Sequence, residues 1–389
     1  MKKLKKVLKI LLIIIISLIA LIYGGVFLGH KLIFPIKASN VPAIEGVKNS
    51  TFTFGTQAHL SQPAEMNGYI TILAGQLKQY NKIAPALWPD NALTNQSLIV
   101  EQIRRNKFWH IAPDGAVTPL SKTKALGYGI KRQPYFNGFS FFDDGMYLAV
   151  SEEDLTNYLL FQQYLHLGTY DVLITCTHEG FHAKEQPKWQ AMNDIPNRER
   201  DEFFNNTSAR AKRDLLQRQL LRAVSEPGNI QPILDSLATY SDWKIKFPED
   251  YKNSIYFDRI EGTAYYYELV SSLYSAYPNQ VRNEHDLDNA LALLATRDDI
   301  YINHGLIAEG YTVGGFSCVM LDRLSGDWKE RLMNDPEATP IELLSQYFKD
   351  ETLPAPQQPT KSEIDPNVND PDENRGMPLV FRFLYDILF

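Results

Sequence analysis

Cysteine is scarce in this sequence, which has only Cys176 and Cys318 among its 389 residues. Two thiols exclude a disulfide framework and a four-thiolate zinc site, because both need more cysteines. Each cysteine lies in a mostly apolar segment, and free cysteine is among the most buried residue types. We therefore predict two buried free thiols. A disulfide between them is the alternative in an oxidising compartment.

Beyond the N-terminal lysines at residues 1–9, clustered positive charge is also missing. The chain carries 39 Lys and Arg against 46 Asp and Glu, a net charge of −7, and the basic residues are spread along it. Surfaces that bind nucleic acid concentrate basic residues on one face, so we expect no nucleic-acid partner. The hydrophobic share of 44% is enough for a large buried core, which excludes a disordered chain.

Long hydrophobic runs are absent apart from one near the N-terminus. Residues 10–29 contain no charged side chain, and five lysines lie within Met1–Lys9. A run of this length can cross a bilayer as a helix. It offers no small-x-small cleavage site, so we predict an uncleaved, single-pass signal anchor, with a cleaved signal as the alternative. The lysines then stay in the cytoplasm, which places an ectodomain outside the cell membrane.

The chain beyond the anchor divides by composition. Proline residues favour a stalk after the anchor, and a segment rich in Pro, Asp and Asn follows residue 350. We predict a cytoplasmic basic segment at 1–9, a transmembrane anchor at 10–29, a stalk at 30–50, one folded domain at 51–350, and a linker with a C-terminal docking segment at 351–389.

Apolar periodicity predicts an α+β fold, with a β-rich N-terminal half and a mostly helical C-terminal half. The predicted strands are 51–54, several within 97–120, and 146–150. The predicted helices are 64–80, 152–163, 171–185, one or more within 199–240, 257–274, 287–297 and 308–324.

One short motif, H-E-x-x-H at His178–His182, carries recognisable chemistry. Residues four apart lie on one face of a helix, so the imidazoles of His178 and His182 can reach one metal ion. Glu179 lies beside them, where a carboxylate can accept a proton from a metal-activated water. The pattern is typical of a catalytic zinc site. Two uninvolved histidines on a helix are the alternative.

A second motif brings a family resemblance. The segment Glu261–Tyr266 reads E-G-T-A-Y-Y, and together with His178–His182 it resembles the gluzincin class of zinc peptidases. The resemblance implies a zincin-like fold with His178, His182 and Glu261 as zinc ligands and Glu179 as general base. The interval between the two motifs is much longer than in thermolysin-like members. A helical insert, roughly 199–240, would fill it.

The residues around Glu261 support the same ligand independently. Gly262 allows the second helix to approach the first closely, and Tyr265 lies one turn from Glu261 on the same face. The rival ligand is Glu185, seven residues after His178 but about 10 Å farther along the helix axis. A metal-bound histidine needs an orienting partner. Asp258 is the first candidate for that role and Glu268 the weaker one.

Hydrolysis of a peptide also requires a donor to the developing oxyanion. We take Tyr265, His304 and Tyr311 as candidates, with ordinary core packing as the alternative for each. The aromatic run 135–142 either lines an edge strand that holds an extended peptide or belongs to the core.

Taken together, the motifs predict a membrane-anchored zinc metallopeptidase that cleaves a peptide or protein substrate outside the cytoplasmic membrane. Two alternatives remain at this stage. One is a non-catalytic, zinc-stabilised ectodomain that acts as a binding module. The other is a zinc hydrolase of a non-peptide amide or ester, which would use the same water-activating residues.

Overall fold

The fold is α+β, with a five-stranded sheet followed by a mostly helical C-terminal part. The structure is a computed structural model that describes residues 66–103, 105–132, 138–150, 171–192, 206–296, 302, 306–324 and 326–359. The predicted fold class is therefore confirmed at this level.

The strands are β1 (Ser97–Gln102), β2 (Lys107–Ile111), β3 (Val117–Leu120), β4 (Gly138–Phe142) and β5 (Gly145–Val150). The α-helices are α1 (Met66–Leu87), α2 (Lys122–Leu126), α3 (Asp171–Gly180), α4 (Thr207–Ser225), α5 (Gln231–Lys246), α6 (Pro248–Ala276), α7 (Glu284–Leu294), α8 (Leu306–Leu324), α9 (Trp328–Asn334) and α10 (Pro340–Tyr347). After α3 the chain continues as a π-helical turn, Phe181–Glu185, and a 3-10 turn, Gln186–Lys188.

The sheet has the strand order β3-β2-β1-β5-β4. The β1 and β5 strands run parallel, and the other neighbouring pairs are antiparallel. The β1 and β5 strands are buried along their whole length. In β1, Leu98 and Val100 join the main core, whereas Ile99 joins a smaller core on the other face. The continuous apolar sequence of β1 follows from this burial on both faces.

Most predicted elements within the described residues are confirmed. The predicted region 97–120 contains β1, β2 and β3, and 146–150 is β5. The region 199–240 contains α4 and most of α5, divided by a turn at Gly228 with φ of 89°. The predicted strand 51–54, the helix 152–163 and the C-terminal docking segment lie outside the described residues.

The helix with the histidine motif reaches Glu185, the end predicted for it, but its last turn is a π turn. The backbone N–H of Gln186 donates to the Phe181 carbonyl five residues earlier. Proline causes no loss here, because Pro187 lies in the first turn of the 3-10 segment, where its missing N–H is not needed.

The helices α6 and α8 touch through their backbones. A Cβ atom on Gly262 would lie 2.4 Å from the Gly314 Cα atom and 2.9 Å from the Gly310 carbonyl oxygen. Only glycine fits at such a distance. We expected Gly262 to allow α6 to approach α3, the helix of His178, closely. That expectation is wrong, because the side of Gly262 that lacks a side chain faces α8. The glycines of α8 make the same close contact from the other side: a Cβ atom on Gly310 would lie 2.7 Å from the Phe257 carbonyl carbon.

The long interval between the two motifs contains α4, which braces α6 with buried charge. Arg213 donates to both carboxylate oxygens of Asp258 at 2.6 and 3.0 Å, and both side chains are fully buried. Arg210 forms ion pairs with Asp250 of α6 and Glu309 of α8. The ion pairs of α4 therefore fix the positions of α6, which carries Glu261, and α8, which carries Tyr311.

Two other predictions concern thiols and the membrane. Cys176 and Cys318 are buried thiols that form no disulfide, as predicted. The predicted anchor at 10–29 lies outside the described residues. Within the described part of the chain, we find no helix with the length and apolarity that a bilayer crossing requires.

Candidate metal centre

Three predicted metal ligands converge at one point. The Nε2 atoms of His178 and His182 are 3.1 Å apart. The Oε2 atom of Glu261 lies 3.2 Å from His182 Nε2 and 3.5 Å from His178 Nε2. His178 comes from α3, His182 from the π turn and Glu261 from α6. In the described residues, this is the group of His, Cys, Asp and Glu side chains that could hold a metal ion.

The spacing of these three atoms suits a small tetrahedral cation. Two ligands of a tetrahedral ion are separated by about 1.63 times the bond length, so bonds of about 2.0–2.1 Å place ligand atoms about 3.3–3.4 Å apart. The observed separations of 3.1, 3.2 and 3.5 Å bracket this value. Three protein ligands leave the fourth tetrahedral position for a water molecule or a substrate, which is the arrangement of catalytic sites.

The first histidine is oriented by Glu268. His178 Nδ1 lies 2.9 Å from Glu268 Oε2, and both side chains are buried. A carboxylate accepts hydrogen bonds, so Nδ1 carries a proton and Nε2 is the ring nitrogen that remains to bind a metal. Glu268 lies seven residues after Glu261, two turns along the same face of α6, so one helix supplies a ligand and the partner of another ligand.

The charge distribution of the cluster favours a cation. Burial lowers the pKa of His178, but hydrogen bonds and charges from Glu261 and Glu268 outweigh burial and raise this pKa to about 10. Burial raises the pKa of Glu261, but hydrogen bonds with His178 and His182 lower it to about 2. The two carboxylates thus stabilise positive charge at the point where the three ligand atoms meet.

Glu179 follows the candidate ligand His178 in the chain and does not join the ligand group. Its side chain is half-buried. Its negative charge raises the pKa of Tyr311, after burial and the charges of Glu261 and Glu268. It also raises the pKa of Glu268, for which burial is the largest cause. The charge of Glu179 therefore acts on two residues that contact the candidate ligands.

Of the three predicted oxyanion donors, Tyr311 lies against the ligands. Its ring centroid is 5.6 Å from that of His178, in an edge-on arrangement, and a hydrogen bond with Glu261 is among the causes that raise its pKa. Tyr265 is buried and packs beside Tyr311, with ring centroids 5.5 Å apart. His304 lies outside the described residues.

The rival ligand Glu185 is not part of the cluster. It is fully buried, accepts a hydrogen bond from the Ala92 amide at 2.8 Å, and pairs with Lys188 at 3.0 Å. It therefore ties the loop after α1 to the end of the metal-ligand helix. The first candidate for an orienting residue is also wrong, because Asp258 pairs with Arg213 and it is Glu268 that contacts a histidine.

Sequence reasoning missed one residue of the site, Gln186. Its Oε1 atom lies 2.7 Å from His182 Nδ1. The four-residue separation from His182 was an available signal, but the following proline pointed to a helix end before Gln186. The π turn keeps this residue beside His182.

Searches against protein-family models, curated proteins and solved structures find no match to this chain.

Proposed function

We propose that this protein is a zinc-dependent metallopeptidase, anchored to the cell membrane by residues 10–29 and active on the extracytoplasmic side. The observation that carries the proposal is the convergence of His178, His182 and Glu261 at 3.1–3.5 Å, with Glu179 beside them. Two imidazoles and one carboxylate form a typical donor set of zinc hydrolases, and zinc accepts both ligand types at the spacing found here.

The roles of the chain's own residues follow from their positions. Zinc, when bound, supplies a Lewis acid that lowers the pKa of water and polarises a carbonyl group. Glu179 accepts the proton of the attacking water and delivers it to the leaving amine. Tyr311 is placed to donate a hydrogen bond to the oxyanion that develops on the substrate carbonyl. Glu268 holds His178 in the tautomer that the centre needs.

An extended peptide is the substrate that the neighbouring sheet supports best. Within the described residues β4 pairs only with β5, which leaves its other edge open. Phe141 of β4 lies against α3, with its Cε1 atom 3.7 Å from the position that a Cβ on Gly180 would take. Phe139, on the same face of β4, is 37% exposed. An open strand edge offers backbone hydrogen bonds to an extended chain, and an exposed ring offers contact to an apolar side chain.

The test compares Glu179→Gln with wild type in zinc content and in cleavage of a peptide library. We expect the variant to keep its zinc and to lose activity by about 10²–10⁴-fold, because the general base is gone and the ligands remain. A chelator should abolish wild-type activity, and added zinc should restore it. Equal activity of the variant and wild type, or activity that survives complete zinc removal, would refute the proposal. Glu249→Gln, at the exposed start of α6, serves as the matched control.

A further inference from the structure

The amide of Gln186 connects a metal-ligand histidine to the helix that supplies the third ligand. On one side, Gln186 Oε1 lies 2.7 Å from His182 Nδ1. On the other, Gln186 Nε2 lies 2.6 Å from the Ile260 carbonyl oxygen and 3.0 Å from Thr263 Oγ1. Ile260 precedes Glu261 in α6, and Thr263 follows it by two residues.

The orientation of this amide is fixed by its neighbours. The Ile260 carbonyl can only accept a hydrogen bond, so the NH₂ group of Gln186 must face it. Thr263 Oγ1 donates to the Arg259 carbonyl at 2.7 Å, which leaves its lone pairs to accept from the same NH₂ group. The carbonyl oxygen of Gln186 therefore faces His182, and a flipped amide would place two acceptors against each other at Ile260.

This orientation also fixes the tautomer of His182. The Gln186 carbonyl oxygen accepts only, so the His182 Nδ1 atom must carry a hydrogen and donate it. Nδ1 is then unable to bind a metal, and Nε2 faces the Nε2 atom of His178 and the Oε2 atom of Glu261. The Glu268 carboxylate accepts a hydrogen bond from His178 Nδ1 in the same way. The protonation of Nδ1 is therefore determined by a different residue in each histidine.

The π turn explains why position 186 reaches α6. The backbone N–H of Gln186 donates to the Phe181 carbonyl five residues back, so this turn contains one residue more than an α-helical turn. One residue corresponds to about 100° of rotation about an α-helix axis. The wider turn therefore changes the face on which Gln186 stands, and π turns of this kind are frequent at functional sites.

From these contacts we infer that Gln186 is a positioning residue of the metal centre, which holds the Nδ1–H tautomer of His182 and ties the π turn to α6 on both sides of Glu261. The effect of Gln186 on metal binding rests on the proposed function. The hydrogen bond between Gln186 and His182 does not, and it can be measured in metal-free protein.

The experiment compares four full-length proteins: wild type, Gln186→Met, Gln186→Glu and Gln190→Met. Methionine keeps the length of glutamine and removes all three side-chain hydrogen bonds. Glutamate keeps the acceptor for His182 and loses the donor to Ile260 and Thr263. Gln190 is exposed on the same segment, so its substitution controls for the chemical change alone. Zinc affinity is measured by competition with a chelator, and the His182 Nδ1–H proton by NMR on 15N-histidine-labelled, metal-free protein.

We expect the zinc dissociation constant of Gln186→Met to rise by about 10–100-fold, as for other residues that orient metal ligands, while Gln190→Met matches wild type. The Nδ1–H signal of His182 should be present in wild type and in Gln186→Glu and absent in Gln186→Met. Glutamate at 186 should still weaken zinc binding, because the connection to α6 is broken.

The possible failures are distinguishable. A wild-type chain that binds no zinc would refute the proposed function, whereas loss of the Nδ1–H signal in Gln186→Met would still support the hydrogen bond. A Gln186→Met protein with wild-type zinc affinity and an unchanged Nδ1–H signal would overturn the inference about Gln186 and leave the metallopeptidase proposal intact.

Discussion

At the scale of single residues, the site is defined by what each polar side chain contacts. His178 donates to the buried carboxylate of Glu268, whereas His182 donates to the neutral amide of Gln186. A carboxylate partner makes an imidazole a stronger ligand than an amide partner does. We therefore expect the two histidines to contribute unequally to metal binding, although they come from one motif.

Exchange of Glu268 and of Asp258 separates an orienting role from a bracing role. Glu268→Gln should weaken zinc binding by about 10–100-fold with little change in the unfolding free energy of the zinc-free protein. Asp258→Ala should cost about 3–5 kcal/mol in unfolding free energy, because Arg213 loses its two-atom contact with Asp258 and its buried charge keeps only the longer contact with Glu309. The folded fraction of Asp258→Ala should bind zinc normally. Chelator competition and urea denaturation of both variants provide the two measurements, and a reversed pattern would contradict the assignment.

The two tyrosines near the centre also differ in the structure. Tyr311→Phe should lower kcat by about 10²–10³-fold, the usual loss for one oxyanion donor, and leave zinc content unchanged. Tyr265→Phe should cause a smaller loss, because it is the ring of Tyr311 that lies edge-on to His178, and Tyr265 packs against Tyr311. Steady-state kinetics on one peptide substrate decides between them. A larger loss in Tyr265→Phe would transfer the donor role to Tyr265.

At the scale of elements, the spacing of α6 from α8 positions Glu261 and Tyr311 relative to each other. The backbones of α6 and α8 are in direct contact, since a Cβ atom on Gly314 would come 1.9 Å from the Asp258 carbonyl oxygen. Arg210 and Arg213 of α4 add ion pairs to the same two helices. The ligand from α6 and the donor from α8 are thus held by interactions that lie outside the site.

Enlarging a glycine at this contact tests its importance. Gly314→Ala should destabilise the protein by about 1–3 kcal/mol, because the added methyl group forces the helices apart. It should also lower kcat by displacing Tyr311. Gly75→Ala is the matched control: Gly75 lies in α1 with no atom within 4 Å of an added Cβ, so the change should stabilise the protein by roughly 0.5–1 kcal/mol. Thermal unfolding and activity of both variants show the difference, and a neutral Gly314→Ala would contradict the close approach.

Sequence patterns were sufficient for the elements and insufficient for their contacts. The apolar run Leu98–Val100 and the helical periodicity of 308–324 correctly predicted β1 and α8, because burial imposes those patterns directly. The partner of Gly262 was predicted wrongly, since a glycine shows that something approaches closely but not which helix does so. Proline at 187 agreed with the predicted helix end at Glu185, but it gave no sign that the last turn is a π turn.

The same limit applies to the site. The H-E-x-x-H spacing predicted a shared face for His178 and His182, which local helix geometry determines by itself. The proximity of Glu261, 79 residues after His182, followed from the family resemblance and is matched by the described geometry. Choosing Glu268 over Asp258 required the direction of each side chain on α6, and that direction depends on where α3 and α4 pack.

At the scale of the whole molecule, the described residues form a scaffold that brings three separate segments to one point beside an open sheet edge. The histidine helix, α6 and α8 each contribute to the candidate centre, and β4 lies against the first of them. An N-terminal anchor would keep this centre at the membrane surface, where a peptidase meets substrates outside the cytoplasm. The proposed metallopeptidase function requires that the chain bind one metal ion at His178, His182 and Glu261.

The most direct test is the metal content of full-length protein by elemental analysis, for wild type, Glu261→Ala and Glu185→Ala. We predict one zinc per chain in wild type, loss of zinc in Glu261→Ala, and retention in Glu185→Ala, because Glu185 binds the Ala92 amide and Lys188 instead of the centre. Zinc retained in Glu261→Ala, or wild-type protein that binds no zinc after refolding with metal, would contradict the account.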